Sequence, residues 1–143
     1  MLIRNMSEND LPQVHEMECD IFSKPWTKED FKNSIQNRQN IYLVVEENNE
    51  VVAYCGLWGV AGEGQINNVA VKKTLRGRGI GFSMLSDLIE QGKKQGLEAF
   101  TLEVRVSNKS AIALYHKLGF KDAGVRKNFY EEPKEDALIM WLQ

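Results

Sequence analysis

Apolar and polar positions repeat along this chain with two periods, and the switches between them mark its elements. Leu2 and Ile3 open a short strand. Ser7, Glu8, Asn9 and Asp10 then offer capping side chains ahead of Leu11, Val14, Met17, Ile21 and Phe22, whose spacing predicts a helix. Pro12 is compatible only with its first turn. After Pro25 and Trp26, Thr27 is placed to cap a second, shorter helix with Phe31 and Ile35 turned inward. Residues 41–45 and 51–60 read as strands about an Asn48-Asn49 turn, and Ala61-Gly62-Glu63-Gly64 turns the chain into a third strand over 65–71. These three strands form an antiparallel meander.

In the second half, Ile80, Met84, Leu85, Leu88 and Ile89 mark one face of a helix that ends in the region of Gly92 and Gly96. A strand over 100–104 follows, then a helix over 110–118 closed by Gly119, then strands over 120–126 and 137–142. The order β-α-α-β-β-β-α-β-α-β-β predicts an α/β protein, a mixed and mostly antiparallel sheet flanked by helices. With no break in composition and no low-complexity linker, residues 1–143 read as one domain.

Composition narrows the functional classes. A chain of 143 residues buries about two-thirds of its unfolded surface without staples. Its apolar runs are too short to span a bilayer, and its first residues lack the basic start and apolar middle of a secretion signal, so a soluble cytoplasmic protein is expected. Cys19 and Cys55 lack CxxC spacing and are expected as free, mostly buried thiols. His15 and His116 form no metal-ligand pattern, so no metal is assigned. A net charge of −2 argues against nucleic-acid binding by bulk electrostatics. Locally the balance differs, because Lys72, Lys73, Arg76 and Arg78 crowd one glycine-rich turn.

That turn lies in residues 71–83, V-K-K-T-L-R-G-R-G-I-G-F-S, with glycine at 77, 79 and 81 between a strand end and a helix start. Such a junction presents backbone N–H groups beside Lys and Arg, a socket suited to a pyrophosphate. It is not a Walker A loop, since no Lys-Ser or Lys-Thr follows the glycines. Nor is it a dinucleotide fingerprint, since Phe82 holds the place of the third glycine. On these residues alone, a glycine turn without a ligand is the alternative.

The pattern R-x-x-G-x-G at Arg76, Gly79 and Gly81 resembles the acyl-coenzyme A loop of the GCN5-related N-acetyltransferases (GNAT). Residues 102–120, L-E-V-R-V-S-N-K-S-A-I-A-L-Y-H-K-L-G-F, are similar to the second half of that family's core. Residues 130–140, Y-E-E-P-K-E-D-A-L-I-M, resemble the C-terminal signature of the ribosomal-protein-alanine N-acetyltransferases, the RimI type. With Pro25-Trp26 the resemblance spans nearly the whole chain.

The resemblance implies a fold in which two parallel strands part beside the glycine loop and leave backbone groups free for a pantetheine arm. It implies acetyl-coenzyme A (acetyl-CoA) as cosubstrate, with Val69, Ala70 and Val71 at the pantetheine and acetyl group. Arg76, Gly77, Arg78, Gly79, Ile80, Gly81 and Phe82 would surround the pyrophosphate. Val71 N–H is the implied donor to the thioester oxygen as it gains charge. Asn108 is an implied coenzyme contact and reads equally as a helix cap. Glu103, inside T-L-E-V-R-V, is the implied base for the amine, and Tyr115 the implied acid for the departing thiolate. On residues alone, Glu103 reads as a solvent-facing strand glutamate and Tyr115 as half-buried packing. Trp26, Asn128, Phe129 and Tyr130 are the implied acceptor wall, with Phe129 standing where the family often has a tyrosine.

The acceptor is narrowed by arithmetic. An α-amino group with a pKa of about 7.7–8.0 is roughly a fifth to a third neutral at pH 7.4, whereas a lysine near 10.4 is almost wholly protonated. One carboxylate base suits a protein N-terminus better than a lysine. The expectation is acetyl transfer to the N-terminal alanine of a small-subunit ribosomal protein. Glu131, Glu132, Glu135 and Asp136 read as an acidic loop flanking that protein's basic start. Within the enzyme class the alternative is a broader N-terminal or lysine acetyltransferase. A non-catalytic acyl-coenzyme A sensor has no use for a paired base and acid. Oligomeric state is not readable from the sequence.

Overall fold

The computed structural model describes residues 1–143. In chain order they form β1 (Leu2–Asn5), α1 (Leu11–Ile21), α2 (Lys28–Gln36), β2 (Ile41–Glu47), β3 (Glu50–Val60), β4 (Glu63–Val71), α3 (Ile80–Lys94), β5 (Ala99–Arg105), α4 (Lys109–Lys117), β6 (Lys121–Glu131) and β7 (Lys134–Leu142). Local chemistry sets several boundaries. Thr27 Oγ1 accepts the Asp30 N–H at 3.1 Å while Asp30 Oδ2 accepts the Thr27 N–H at 2.9 Å, a reciprocal cap that starts α2. Asn48 and Asn49 both take positive φ, 53° and 66°, as a two-residue turn between twisted strands requires.

The strands form one seven-stranded sheet in the order β1-β2-β3-β4-β5-β7-β6. Every neighbouring pair is antiparallel except β4 and β5. Side chains alternate between its faces. Leu43, Val45, Cys55, Leu102 and Val104 pack with α3 and α4 in the larger core, and Tyr42, Val44 and Tyr54 pack with α1 and α2 in the smaller one. The mixed, mostly antiparallel α/β architecture expected from the sequence is the one observed. No helix is long and apolar enough to cross a membrane.

Three details differ from the sequence reading. Phe22 lies past the end of α1 and is exposed instead of continuing the buried stripe. Cys19 is exposed, and only Cys55 is a buried thiol. The last hairpin is also longer than expected: β6 runs to Glu131 and β7 starts at Lys134, so the expected acidic loop is mostly strand. Strand β6 is the sheet edge and is exposed along nearly its whole length, so it carries no apolar alternation to mark where it ends.

Candidate active site

The parallel pair β4 and β5 stays in register only from Glu63↔Ala99 to Ile66↔Leu102. Beyond this point the strands part, and β4 keeps β3 alone as partner. Lys72 N–H donates to Val52 O at 2.9 Å. Hydrogen-bonded and free pairs alternate along an antiparallel ladder, so Val71 and Val69 turn their N–H and C=O groups away from β3, into the gap. Arg76 Nε donates to Val71 O at 3.2 Å, which satisfies that carbonyl and leaves Val71 N–H facing the gap.

The gap opens into a cleft of about 660 Å³. Leu102 and Val104 are buried toward α3 and α4, so Glu103 between them points to the opposite, α1–α2 face. Tyr115, on α4, belongs to the other side of the sheet. Both line the same cleft, together with Val69 and Asn108, because β4 leaves this stretch of β5 uncovered. Glu103 Oε2 is buried and receives no hydrogen bond. Arg126 Nε stands 3.1 Å from it as an ion pair out of line for a hydrogen bond, and the Arg126 side chain is 60% exposed, so the pairing is weak. A buried acceptor without a donor is uncommon in a folded protein and is satisfied by whatever donor enters the cleft.

Burial is the first cause that pushes the Tyr115 phenol well above its ordinary 10.0, with the neighbouring Tyr130 and Cys55 adding to it. The group is therefore a neutral proton donor throughout the physiological range. Phe120 packs edge-on against its ring at 5.9 Å and fixes its place. Asn108 serves both of its readings: Oδ1 accepts the Ala111 N–H at 3.3 Å as the cap of α4, and the residue lines the cleft.

Gly77 and Gly79 hold φ of +83° and +82°, and a Cβ built at either meets nothing within 4 Å. The backbone conformation demands glycine there, and the space beyond it is open. Gly79 is the N-cap of α3, whose first N–H groups point into that space. Such an open cradle at a helix start fits a pyrophosphate. Gly81 has a different task, since its Cβ would lie 3.2 Å from Leu114 Cδ2, and it seats α3 against α4. Ile80 is core, Arg78 pairs with Glu47 at 3.2 Å, and Phe82 lies 5.0 Å beneath Lys117 Nζ.

On the α1–α2 face, Trp26, Phe129 and Tyr130 line the cleft, and Asn128 does not. Asn128 sits in a bulge at φ 56°, its N–H given to Asp136 Oδ1 at 2.8 Å. Trp26 is held by an aromatic cluster with Phe31, Trp58 and Tyr42 at centroid distances of 5.2, 6.0 and 6.4 Å. The turn after α1 reaches the tip of the β6–β7 hairpin, where Lys24 pairs with Glu131 and Ser23 donates to Glu132 O. Of the four acidic residues expected to flank an acceptor, Glu131 is thus paired with Lys24, Glu135 with Arg105, and Asp136 with the Asn128 N–H. Three of the four carboxylates already have partners within the chain.

Glu18 is the site residue the sequence reading missed. It lies four residues after Val14 on the buried stripe of α1, only 3% exposed, and lines the cleft. Its Oε1 accepts from Tyr54 OH at 2.5 Å and its Oε2 from Trp26 N–H at 3.0 Å. Burial raises its pKa, while those two donors pull it back. A carboxylate on the apolar face of a helix was the available signal. No group of three or more His, Cys, Asp and Glu side chains is placed to hold a metal ion.

Comparison with known proteins agrees with this geometry. The model of the acetyltransferase (GNAT) family matches residues 11–120. The chain is 40% identical over 98% of its length, and over 93% of the relative, to a Bacillus subtilis (strain 168) protein provisionally named a [ribosomal protein bS18]-alanine N-acetyltransferase. It is 33% identical, over 98% of itself and 95% of the relative, to the [ribosomal protein bS18]-alanine N-acetyltransferase of Escherichia coli (strain K12). A crystal structure of the ribosomal-protein-S18-alanine N-acetyltransferase from Escherichia coli superposes with a TM-score of 0.89, covering 99% of this chain and 92% of that one. Arabidopsis thaliana NAA60, solved in complex with acetyl-CoA, shares the fold at 17% identity with a TM-score of 0.88, covering 99% of this chain and 97% of that one. With that family's core over most of its length, and ribosomal-protein-alanine N-acetyltransferases as its full-length relatives, the chain belongs to the acetyltransferase (GNAT) family.

Proposed function

We propose that this enzyme acetylates the α-amino group of an N-terminal alanine on a small-subunit ribosomal protein, a cytoplasmic reaction with acetyl-CoA as donor. The observation that carries the chemistry is the buried, unpartnered Oε2 of Glu103 facing the same cleft as the neutral Tyr115 phenol. The acceptor is proposed from the named activity of the near-full-length relatives. Acetyl-CoA, when bound, supplies an acetyl group activated as a thioester. Gly77, Gly79 and the start of α3, beside Arg76 and Arg78, would hold its pyrophosphate. The groups that β4 turns into the gap at Val69 and Val71 would hold the pantetheine, next to Ala70 and Asn108.

In this reading Glu103 accepts a proton from the amine nitrogen, directly or through water. Val71 N–H donates to the acetyl oxygen as charge develops on it, and Tyr115 OH gives its proton to the coenzyme sulfur as the C–S bond breaks. Trp26, Phe129 and Tyr130 enclose the acceptor's first residue, with Asn128 shaping the bulge that precedes the last two. A single carboxylate suits an α-amine, because deprotonating a lysine at the same pH is harder by roughly 3–4 kcal/mol.

The test is a pair of peptides, one with a free alanine N-terminus and one with that amine blocked and a lysine inside. The expected outcome is faster acetylation of the alanine peptide, located by mass spectrometry. Faster modification of the lysine peptide would overturn the N-terminal reading.

A further inference from the structure

Arg105 closes β5 two residues after Glu103, on the same face of the sheet, and its guanidinium is fully occupied. Nη1 donates to Pro133 O at 2.8 Å and to Glu135 Oε1 at 3.2 Å, and Nη2 donates to Glu132 O at 3.0 Å. Its flat face lies 4.3 Å over the centre of the Tyr130 ring. Glu135 uses its other oxygen to accept the Ser107 N–H at 2.8 Å, just before the Asn108 cap of α4. Tyr130 and Glu135 face each other across the hairpin. One side chain therefore ties the turn of the β6–β7 hairpin, its last aromatic residue and the end of the base-bearing strand into a single unit. Without it, that tip would be anchored to the rest of the chain mainly by exposed contacts from Ser23 and Lys24.

We propose that Arg105 is a positioning residue for the acceptor: it clamps the hairpin tip and the Tyr130 ring against β5, so that the acceptor's first residue is held beside Glu103. This rests on the reading of Tyr130 as acceptor wall given above, and it adds a residue that touches neither the donor nor the reacting atoms. Only an arginine meets the geometry. Two backbone carbonyls and a carboxylate are met by a planar fork while its face covers a ring, whereas lysine brings one point charge. The clamp acts on acceptor binding and leaves the coenzyme cradle at Gly77 and Gly79 alone.

The test is steady-state kinetics with an alanine-terminated peptide on Arg105→Ala and Arg105→Lys, with calorimetric acetyl-CoA affinity and thermal unfolding measured alongside. Acceptor KM is expected to rise about tenfold or more in both variants, the worth of one charge-assisted hydrogen bond. kcat and acetyl-CoA affinity should stay within about threefold. Arg105→Lys, which keeps charge and length, carries the test if Arg105→Ala does not fold. In a double-mutant cycle, the KM effect of Arg105→Lys should largely vanish on a Tyr130→Ala background. An unchanged acceptor KM, a loss confined to kcat or to the folded fraction, or additive effects with Tyr130→Ala would overturn the clamp. If the wild type prefers the lysine peptide, the acceptor assignment falls separately, and the same KM ratios are read with lysine as acceptor.

Discussion

Among the carboxylates of this chain, only Glu103 has a buried oxygen without a hydrogen-bond donor. Asp10, equally buried, has both oxygens engaged by Arg4 and Ser7, and Glu18 has both engaged by Tyr54 and Trp26. A carboxylate with every lone pair committed is a poor base for an incoming amine, and one with a free, enclosed oxygen is a ready one. Glu103→Gln is expected to bind acetyl-CoA as the wild type does and to lose about 10²-fold or more in kcat near pH 7. The deficit should narrow toward about pH 9, where an α-amine sheds its own proton. Rates measured across that range decide the matter, and full activity of the variant at pH 7 would remove Glu103 from the chemistry. Tyr115 should contribute no downturn below its ordinary 10.0, because burial moves its titration upward.

The elements around the site differ in how openly the sequence announces them. T-L-E-V-R-V alternates cleanly, so Glu103 could be assigned to the face opposite Leu102 and Val104 from the pattern alone. The α3 stripe and the Gly77-to-Gly81 loop are equally plain, although Gly81 serves helix packing and not the cradle. Strand β6 was shortened because an edge strand exposed on both faces has no periodicity to read. The partners of Arg105 and Glu18 were invisible for another reason: each joins segments far apart in sequence, and no local rule encodes such pairs. For the loop itself, Gly79→Asn and Gly79→Leu separate conformation from occupancy. Asn tolerates the left-handed backbone while placing a side chain in the cradle; Leu adds a strain of roughly 1–2 kcal/mol. Both should weaken acetyl-CoA in calorimetry, and only the leucine variant should also lower thermal stability markedly. Wild-type affinity in both would place the pyrophosphate elsewhere.

Across the whole molecule, Tyr42, Tyr54 and Tyr115 are all buried, and burial is the leading cause that raises each phenol above 10.0. Cys55, wholly enclosed, is raised above its ordinary 9.0 for the same reason. These groups stay protonated in the folded chain at a pH where the unfolded chain releases them. Their contribution is intact below the unfolded values and is lost as pH rises, first past Cys55 and then past the tyrosines. Each tyrosine removes up to about 1.4 kcal/mol per pH unit in that window. Denaturant midpoints should therefore be level up to about pH 9 and fall steeply above about pH 10; a flat profile would contradict the buried assignments. The parting of β4 from β5 has a consequence at this same scale. It cuts a slot through the sheet, with Glu103 reached from one side and Tyr115 from the other. Donor and acceptor thus have separate doors, and neither has to leave before the other enters. Initial-rate lines should intersect, not run parallel, and free coenzyme A should compete with acetyl-CoA while leaving the peptide's door unblocked.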